Sequence, residues 1–191
     1  MKLEIKAQVI FRDKNGKITK VINKELNSYV MQIIDFLRAS MNKSADNITD
    51  VGGTGRPLQI SGNYLAEIAC NAGANDDNFG ILVGKSSTAV AITQYNLVDK
   101  ILQGSTSGKL SYGAVSVGST VTVGSTRNYT IARTFTNNTA SDIAVTEVGL
   151  FAQSYYTGAN IFYTMLERSL LSFTVVAGTS GTVTYTISAT V

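Results

Sequence analysis

Period-two alternation, interrupted again and again by short glycine turns, is the feature that most restricts the fold of this chain. Leu3, Ile5, Ala7, Val9 and Phe11 lie on one side of the first segment, with Lys2, Glu4, Lys6 and Gln8 opposite. Successive side chains of a strand point to opposite faces, so the pattern is that of a half-buried strand. Asn15-Gly16 follows, the favoured pair for a two-residue type I′ turn, and it returns a second strand over 17–24. The far end repeats the signature, with Val183, Tyr185, Ile187, Ala189 and Val191 facing one way and Thr184, Thr186, Ser188 and Thr190 the other. Between the ends, β-branched and aromatic runs predict strands at 79–84, 110–117, 120–124, 127–136, 143–152, 159–166, 169–177 and 182–190. Short strands with frequent turns predict a mainly β protein, an antiparallel β-sandwich of jelly-roll or immunoglobulin-like type.

Only one stretch switches to the helical period. In "LNSYVMQIIDFLRASMNK", Val30, Ile33, Ile34, Leu37 and Met41 fall on one face, and Asn27 or Ser28 can cap the start. This amphipathic helix is expected to lie across the sheet. The 191 residues suit one domain: an amino-terminal hairpin plus helix (1–43), a loop-rich connection (44–78) and a sandwich core (79–191). Within the connection, "NYLAEIACNAG" fits either a strand or a short helix.

Composition excludes much chemistry. The chain has no histidine, which removes Ser-His-Asp and Cys-His catalysis and most transition-metal sites. The single Cys70 excludes an intramolecular disulfide and any multi-cysteine zinc site. The amino terminus alternates and carries charge, unlike a signal peptide, and no apolar run reaches the ~18 residues of a membrane span. The expected catalytic, cofactor-binding and metal-ligand sets are therefore empty.

The remaining motifs read as structural. "GILVGKSST" falls one residue short of a phosphate-binding loop, and "TAVAIT" behind it does not suit the required helix. "NDDNFG" gathers oxygen ligands without calcium-loop spacing and reads as a hydrophilic turn. Asp142, Glu147 and Glu167 do not form a spaced pair that glycoside hydrolysis would select. Residues 1–43 hold nine basic and four acidic side chains, against seven and nine in the remainder. The excess flanks a turn and reads as a solvated hairpin surface rather than a nucleic-acid site. The candidate assembly contacts are Arg12, Lys14, Lys17 and Lys20 in that hairpin, with Gly52, Gly53, Gly55 and Arg56 in the loop "VGGTGRP".

Glu147 interrupts the apolar strand "VTEVGLFA", as Arg133 interrupts "RNYTIARTFT". A short turn joins the two segments, so a hairpin is expected, with a Glu147–Arg133 ion pair fixing its register. Arg168 is the competing partner.

Over about residues 79–190 the order of motifs resembles phage tail-fibre and tail-collar proteins and related virion proteins. The resemblance rests on "FGILVGKSSTAVAITQYNLVDKI", "TFTN", "VTEVGLFA" and "MLERSLLSFTVVAGTSGTVTYTIS", and most specifically on Glu147, Gly149, Leu150 and Phe151. It implies a non-enzymatic structural subunit in tail, neck or capsid, made in the host cytoplasm and located in the virion. Its partners would be copies of itself and other virion proteins, with no small-molecule substrate, nucleic acid or membrane. The alternatives are a carbohydrate-binding attachment module using Tyr155 and Tyr156, and an extracellular self-assembling filament subunit.

Overall fold

The computed structural model describes residues 2–26, 29–42, 47–58, 68–156 and 160–190. In chain order the elements are β1 (Lys2–Arg12), β2 (Ile18–Leu26), α1 (Met31–Asn42), β3 (Asn47–Thr49), β4 (Gly55–Pro57), β5 (Gly80–Gly84), β6 (Ser111–Tyr112) and β7 (Ser116–Val117). They continue with β8 (Val121–Val123), β9 (Thr126–Thr136), β10 (Ile143–Tyr156), β11 (Asn160–Val175) and β12 (Ser180–Thr190). The fold is a mainly antiparallel β-sandwich. The larger sheet runs β2-β1-β12-β9, with β6, β7 and β8 all pairing along β9, and the smaller runs β11-β10-β5.

The alternating amino-terminal segment forms a hairpin, and its first strand is built into the larger sheet. β1 pairs with β12 from Lys2↔Thr190 to Arg12↔Ser180, so the two ends of the chain lie side by side. The apolar sides of both strands face inward: Ile5, Ala7, Val9, Val183 and Tyr185 are all buried. The hairpin turn differs from the expected type I′. Gly16 has a positive φ of 80°, while Asn15 does not. Asp13 instead organises the loop, its carboxylate accepting the amides of Asn15 and Lys17 at 2.9 Å. That is a three-residue loop with glycine in the left-handed position.

The strand predicted as 110–117 is two short pieces, β6 and β7. The strands predicted at 159–166 and 169–177 are one strand, β11, running straight through Glu167 and Arg168. The expected hairpin between 127–136 and 143–152 does not form: β9 belongs to the larger sheet and β10 to the smaller. Residues 137–142 cross between the sheets instead. Asn137 is fully buried in that crossing, its amide nitrogen donating to the carbonyls of Ser141 and Val175 at 2.8 Å. Its buried amide thus ties the turn to the end of β11, which keeps these polar groups satisfied where the chain changes sheet.

The core lies between the sheets. The Phe11 and Phe173 rings meet edge to face at 5.6 Å, and Tyr112 and Phe135 at 4.9 Å. The far side of the smaller sheet is covered as well. Val30 donates to Leu166 O, Gln32 to Gln94 O, and Phe36 of α1 lies parallel to Phe162 of β11. Of the predicted face, Val30 is buried and Ile33 half-buried, but Ile34 is 62% exposed and Leu37 48%; the helix buries Gln32, Phe36 and Ala39 in their place. Period counts weigh every apolar residue equally, whereas a phenyl ring removes more surface from water than Ile34 or Leu37 would. The cap at Asn27 or Ser28, the side chain of Met41 and residues 59–67 of the connection lie outside the described residues.

Candidate functional site

Glu147 sits where β10 changes facing. Val145 pairs with Phe173, whose ring meets the larger sheet, and the register shifts between Val145 and Glu147. Such an irregularity re-aims a side chain. Glu147 therefore points to the other face, over β5, where its direct partner is Gly84. A Cβ at Gly84 would collide with the Glu147 carboxylate and lie 2.6 Å from Asp99 O. A Cβ at Gly149 would lie 2.8 Å from the Phe151 ring and 3.2 Å from Leu97. Both glycines clear space for this carboxylate and for the segment that covers it.

The carboxylate is wholly enclosed and has four donors. Arg168 Nε donates at 2.7 Å, Asp99 N at 2.8 Å, and Ser86 N and Val98 N at 3.3 Å. Arg168, also fully buried, sends its other nitrogens to Gln94 Oε1 and Thr88 O, both at 3.0 Å. The pair thus fastens residues 86–99 across the smaller sheet.

The ion-pair partner is Arg168, not Arg133. Arg133 lies on β9 in the other sheet and points into the core, 1% exposed. Its guanidinium donates to the carbonyls of Gly113 (2.8 Å), Phe79 (3.0 Å), Ile81 (3.2 Å), Gly73 (3.2 Å) and Asp76, and it covers the Tyr112 ring at 4.7 Å. Burial lowers the pKa of this group, opposed by Tyr112, Asp76 and Asp77. Arg133 therefore anchors the turns at 73–81 and 113 through carbonyl oxygens.

Glu167, next to Arg168 on β11, occupies the opposite face and was not singled out as a site in the sequence. It accepts the hydroxyls of Ser169 and of Tyr185 (2.9 Å), the latter from the larger sheet. Burial pushes its carboxyl up to about 7, against the opposing pull of Ser169, Tyr185 and Arg168. Glu147 and Glu167 are thus separated by the sheet itself, with no cleft between them. Asp142 is engaged elsewhere, accepting Ala177 N at 2.9 Å.

The Gly-rich loop joins β3 to β4. Its amides point at a carboxylate of the chain itself: Asp50 accepts Gly52 N and Thr54 N at 2.9 Å and Arg56 Nε at 2.7 Å. Burial raises the Asp50 pKa, but the bonds from Thr54, Arg56 and Gly52 outweigh it and the net shift is downward. Gly52, Gly53 and Gly55 are exposed, while Arg56 is half-buried over the Tyr156 ring. At the hairpin Arg12, Lys14, Lys17 and Lys20 are exposed, Arg12 donating to Gly16 O at 2.9 Å. In "NDDNFG", Asp76 accepts both nitrogens of Asn78, and Asp77 accepts Gln103 N and faces Lys100 at 3.6 Å. Tyr155 and Tyr156 are half-buried neighbours on β10, so they face opposite sides of the strand and make no shared platform. Burial raises the Cys70 thiol to about 12, leaving it protonated.

The fold and this cluster define an antiparallel β-sandwich whose strand-borne charges hold loops in place. No family model matches the chain, and neither does any curated protein or solved structure.

Proposed function

We propose that the protein is a structural subunit of a tailed-phage virion, in tail, neck or capsid, and that it acts by symmetric contacts with copies of itself and with other virion proteins. It performs no reaction in this reading, and after synthesis in the host cytoplasm it resides in the particle. The observation that carries the proposal is the division of the molecule's side chains. Glu147, Glu167, Arg133 and Arg168 are sealed inside, whereas Met31, Ile34 and Leu37 of α1 and the adjoining Ile92 stand outward. Apolar groups gathered on an outer face mark surfaces for protein contact. The residues that carry the phage-like resemblance, Glu147 and Gly149 to Phe151, are in turn wholly inside and hold the sandwich and its covering segment together. That suits an assembly scaffold.

Electron microscopy of native particles, with an epitope tag on this chain, tests the proposal. Label at a regular position on the particle, together with co-sedimentation through a density gradient, is the expected result. A chain that stays in the soluble fraction and is missing from purified particles would overturn it.

A further inference from the structure

Asn15-Gly16 is the favoured pair for a type I′ turn, yet the loop at the tip of the β1–β2 hairpin does not use the asparagine in that way, since Gly16 takes the positive φ and Asn15 does not. The Asn15 side-chain amide makes no hydrogen bond among the described residues; only its backbone N–H is held, by the Asp13 carboxylate. The residue is exposed, and so are Lys14, Gly16 and Lys17 around it. Gly16 has no Cβ, and nothing lies within 4 Å of where one would stand, so the space beside its backbone is open. No other asparagine of the sequence precedes a glycine. Asn78, Asn96 and Asn138 have their side-chain nitrogens in hydrogen bonds, and Asn137 is buried.

We propose that Asn15 is a site of spontaneous covalent modification, its side chain condensing with the Gly16 amide nitrogen to a succinimide that water opens to aspartate and isoaspartate. Hydroxide takes the proton from Gly16 N, and the nitrogen attacks Asn15 Cγ to close a five-membered ring. The Cγ–Nδ2 bond breaks, and ammonia leaves with a proton taken from water. Water then opens the ring on either side. Cleavage of the new bond to Cγ gives aspartate; cleavage of the original bond to the main-chain carbonyl gives isoaspartate, with Gly16 now joined through Cγ. Nothing is oxidised or reduced, and either product carries a negative charge that asparagine lacks. The surroundings assist the step, because Arg12, Lys14 and Lys17 outnumber Asp13 around the turn, and a positive field stabilises the nitrogen anion and the oxyanion that follows it. Gly16 N must leave Asp13 O, to which it donates at 3.0 Å, and an exposed loop tip is where such bonds open most readily. Isoaspartate adds a carbon to the main chain inside a loop whose length sets the bonds from Asn15 N and Lys17 N to Asp13. Among the described residues β2 pairs with β1 alone, so it is the strand that loosens.

This chemistry stands apart from the assembly reading, and its test reads covalent mass rather than presence in particles. The purified full chain is held folded for several weeks at mildly acid, neutral and mildly alkaline pH, and peptide mapping by mass spectrometry follows each asparagine. The peptide carrying Asn15 should gain about 1 Da, at a rate that rises with hydroxide concentration, and enzymatic methylation of isoaspartate should mark the same peptide. Asn15→Gln, whose longer side chain would have to close a six-membered ring, should slow the conversion at least about tenfold. Lys14→Gln together with Lys17→Gln should slow it about threefold by weakening the local field. Circular dichroism checks that these exposed substitutions keep the fold. An Asn15 that stays intact at alkaline pH, or Asn96 or Asn137 converting before it, would overturn the inference. So would aspartate formed without isoaspartate, which is the product of direct hydrolysis, or a rate indifferent to pH or to the two lysines.

Discussion

Replacing Glu147 by Gln should destabilise the protein by about 3–5 kcal/mol, although the side chain keeps its length and shape. All four groups around the carboxylate are donors: the Arg168 guanidinium and the amides of Ser86, Val98 and Asp99. The nitrogen of a glutamine amide is a donor too, so at least one of them would face N–H against N–H. Arg168 would also lose its counter-charge at a position with no exposure to water. A domain of this kind has about 5–15 kcal/mol of stability in all, so the loss would remove a large share of it. Urea unfolding followed by circular dichroism measures it, with an unchanged slope showing that the midpoint shift reports stability. Hydrogen exchange locates it, because the amides of Ser86, Val98 and Asp99 should lose protection before the strands do. The double variant Glu147→Gln/Arg168→Met removes the orphaned charge and should be less damaged than the two single losses added together. A loss below about 1 kcal/mol, unchanged protection at those three amides, or strict additivity in the double variant would refute the reasoning.

Gly84→Ala should destabilise by about 1–3 kcal/mol in calorimetry, because the new methyl meets Glu147 and Asp99 O; Gly16→Ala, strained only by its φ of 80°, should lose about 1–2 kcal/mol and leave protection of 86–99 untouched. Arg133→Lys should lose about 2–4 kcal/mol and free the amides of 73–81 to exchange, since an ammonium cannot reproduce a planar fork aimed at five carbonyls. The raised Glu167 carboxyl makes the folded state bind its proton more tightly than the unfolded chain does. Stability from this group is therefore present below about pH 4.5 and lost as pH rises to about 7. Glu167→Gln should flatten that window and, at pH 8, raise stability by roughly 3 kcal/mol. Asp50 works in the opposite sense: its lowered pKa makes stability fall only as acid titrates it below the ordinary aspartate range, so the two effects separate in a pH series of unfolding midpoints.

The strands of this fold are legible in the sequence because each buries one side, and a period of two records which side. β1, β9 and β12 fall within a residue or two of where alternation puts them. Pairing is another matter. Nearness in sequence favours a hairpin between 127–136 and 143–152, yet the buried Asn137 amide, held by Ser141 and Val175, turns the chain into the other sheet. The break read between 166 and 169 has a comparable origin. Two adjacent charges look like a turn, but the smaller sheet is covered on both faces, so Glu167 meets Tyr185 on one side while Arg168 meets Glu147 on the other. α1 is legible in part: Val30 and Ile33 turn inward as its period puts them, but Ile34 and Leu37 do not, because the register of burial depends on which side chain finds a ring to lie against, and Phe36 finds Phe162.

The misassigned arginine shows what a charge inside an apolar strand signals. Arg133 and Glu147 break their strands in the same way, and opposite signs invite pairing. A guanidinium, however, has five donors, and five can be met by neutral carbonyls if loops bring enough of them to one point. Residues 73, 76, 79, 81 and 113 do so, from 20 to 60 positions away in sequence, where no local pattern could reveal them. A carboxylate has only acceptors and needs donors; loop amides supply three, and Arg168 supplies the fourth together with the counter-charge. Each buried charge in this sandwich thus gathers the loop groups its own donor or acceptor set requires, Arg133 taking carbonyls and Glu147 taking amides. A strand that carries a charge where its neighbours are apolar therefore predicts a loop clamp as readily as an ion pair, and the count of donors on the charged group decides how much of the clamp can be neutral.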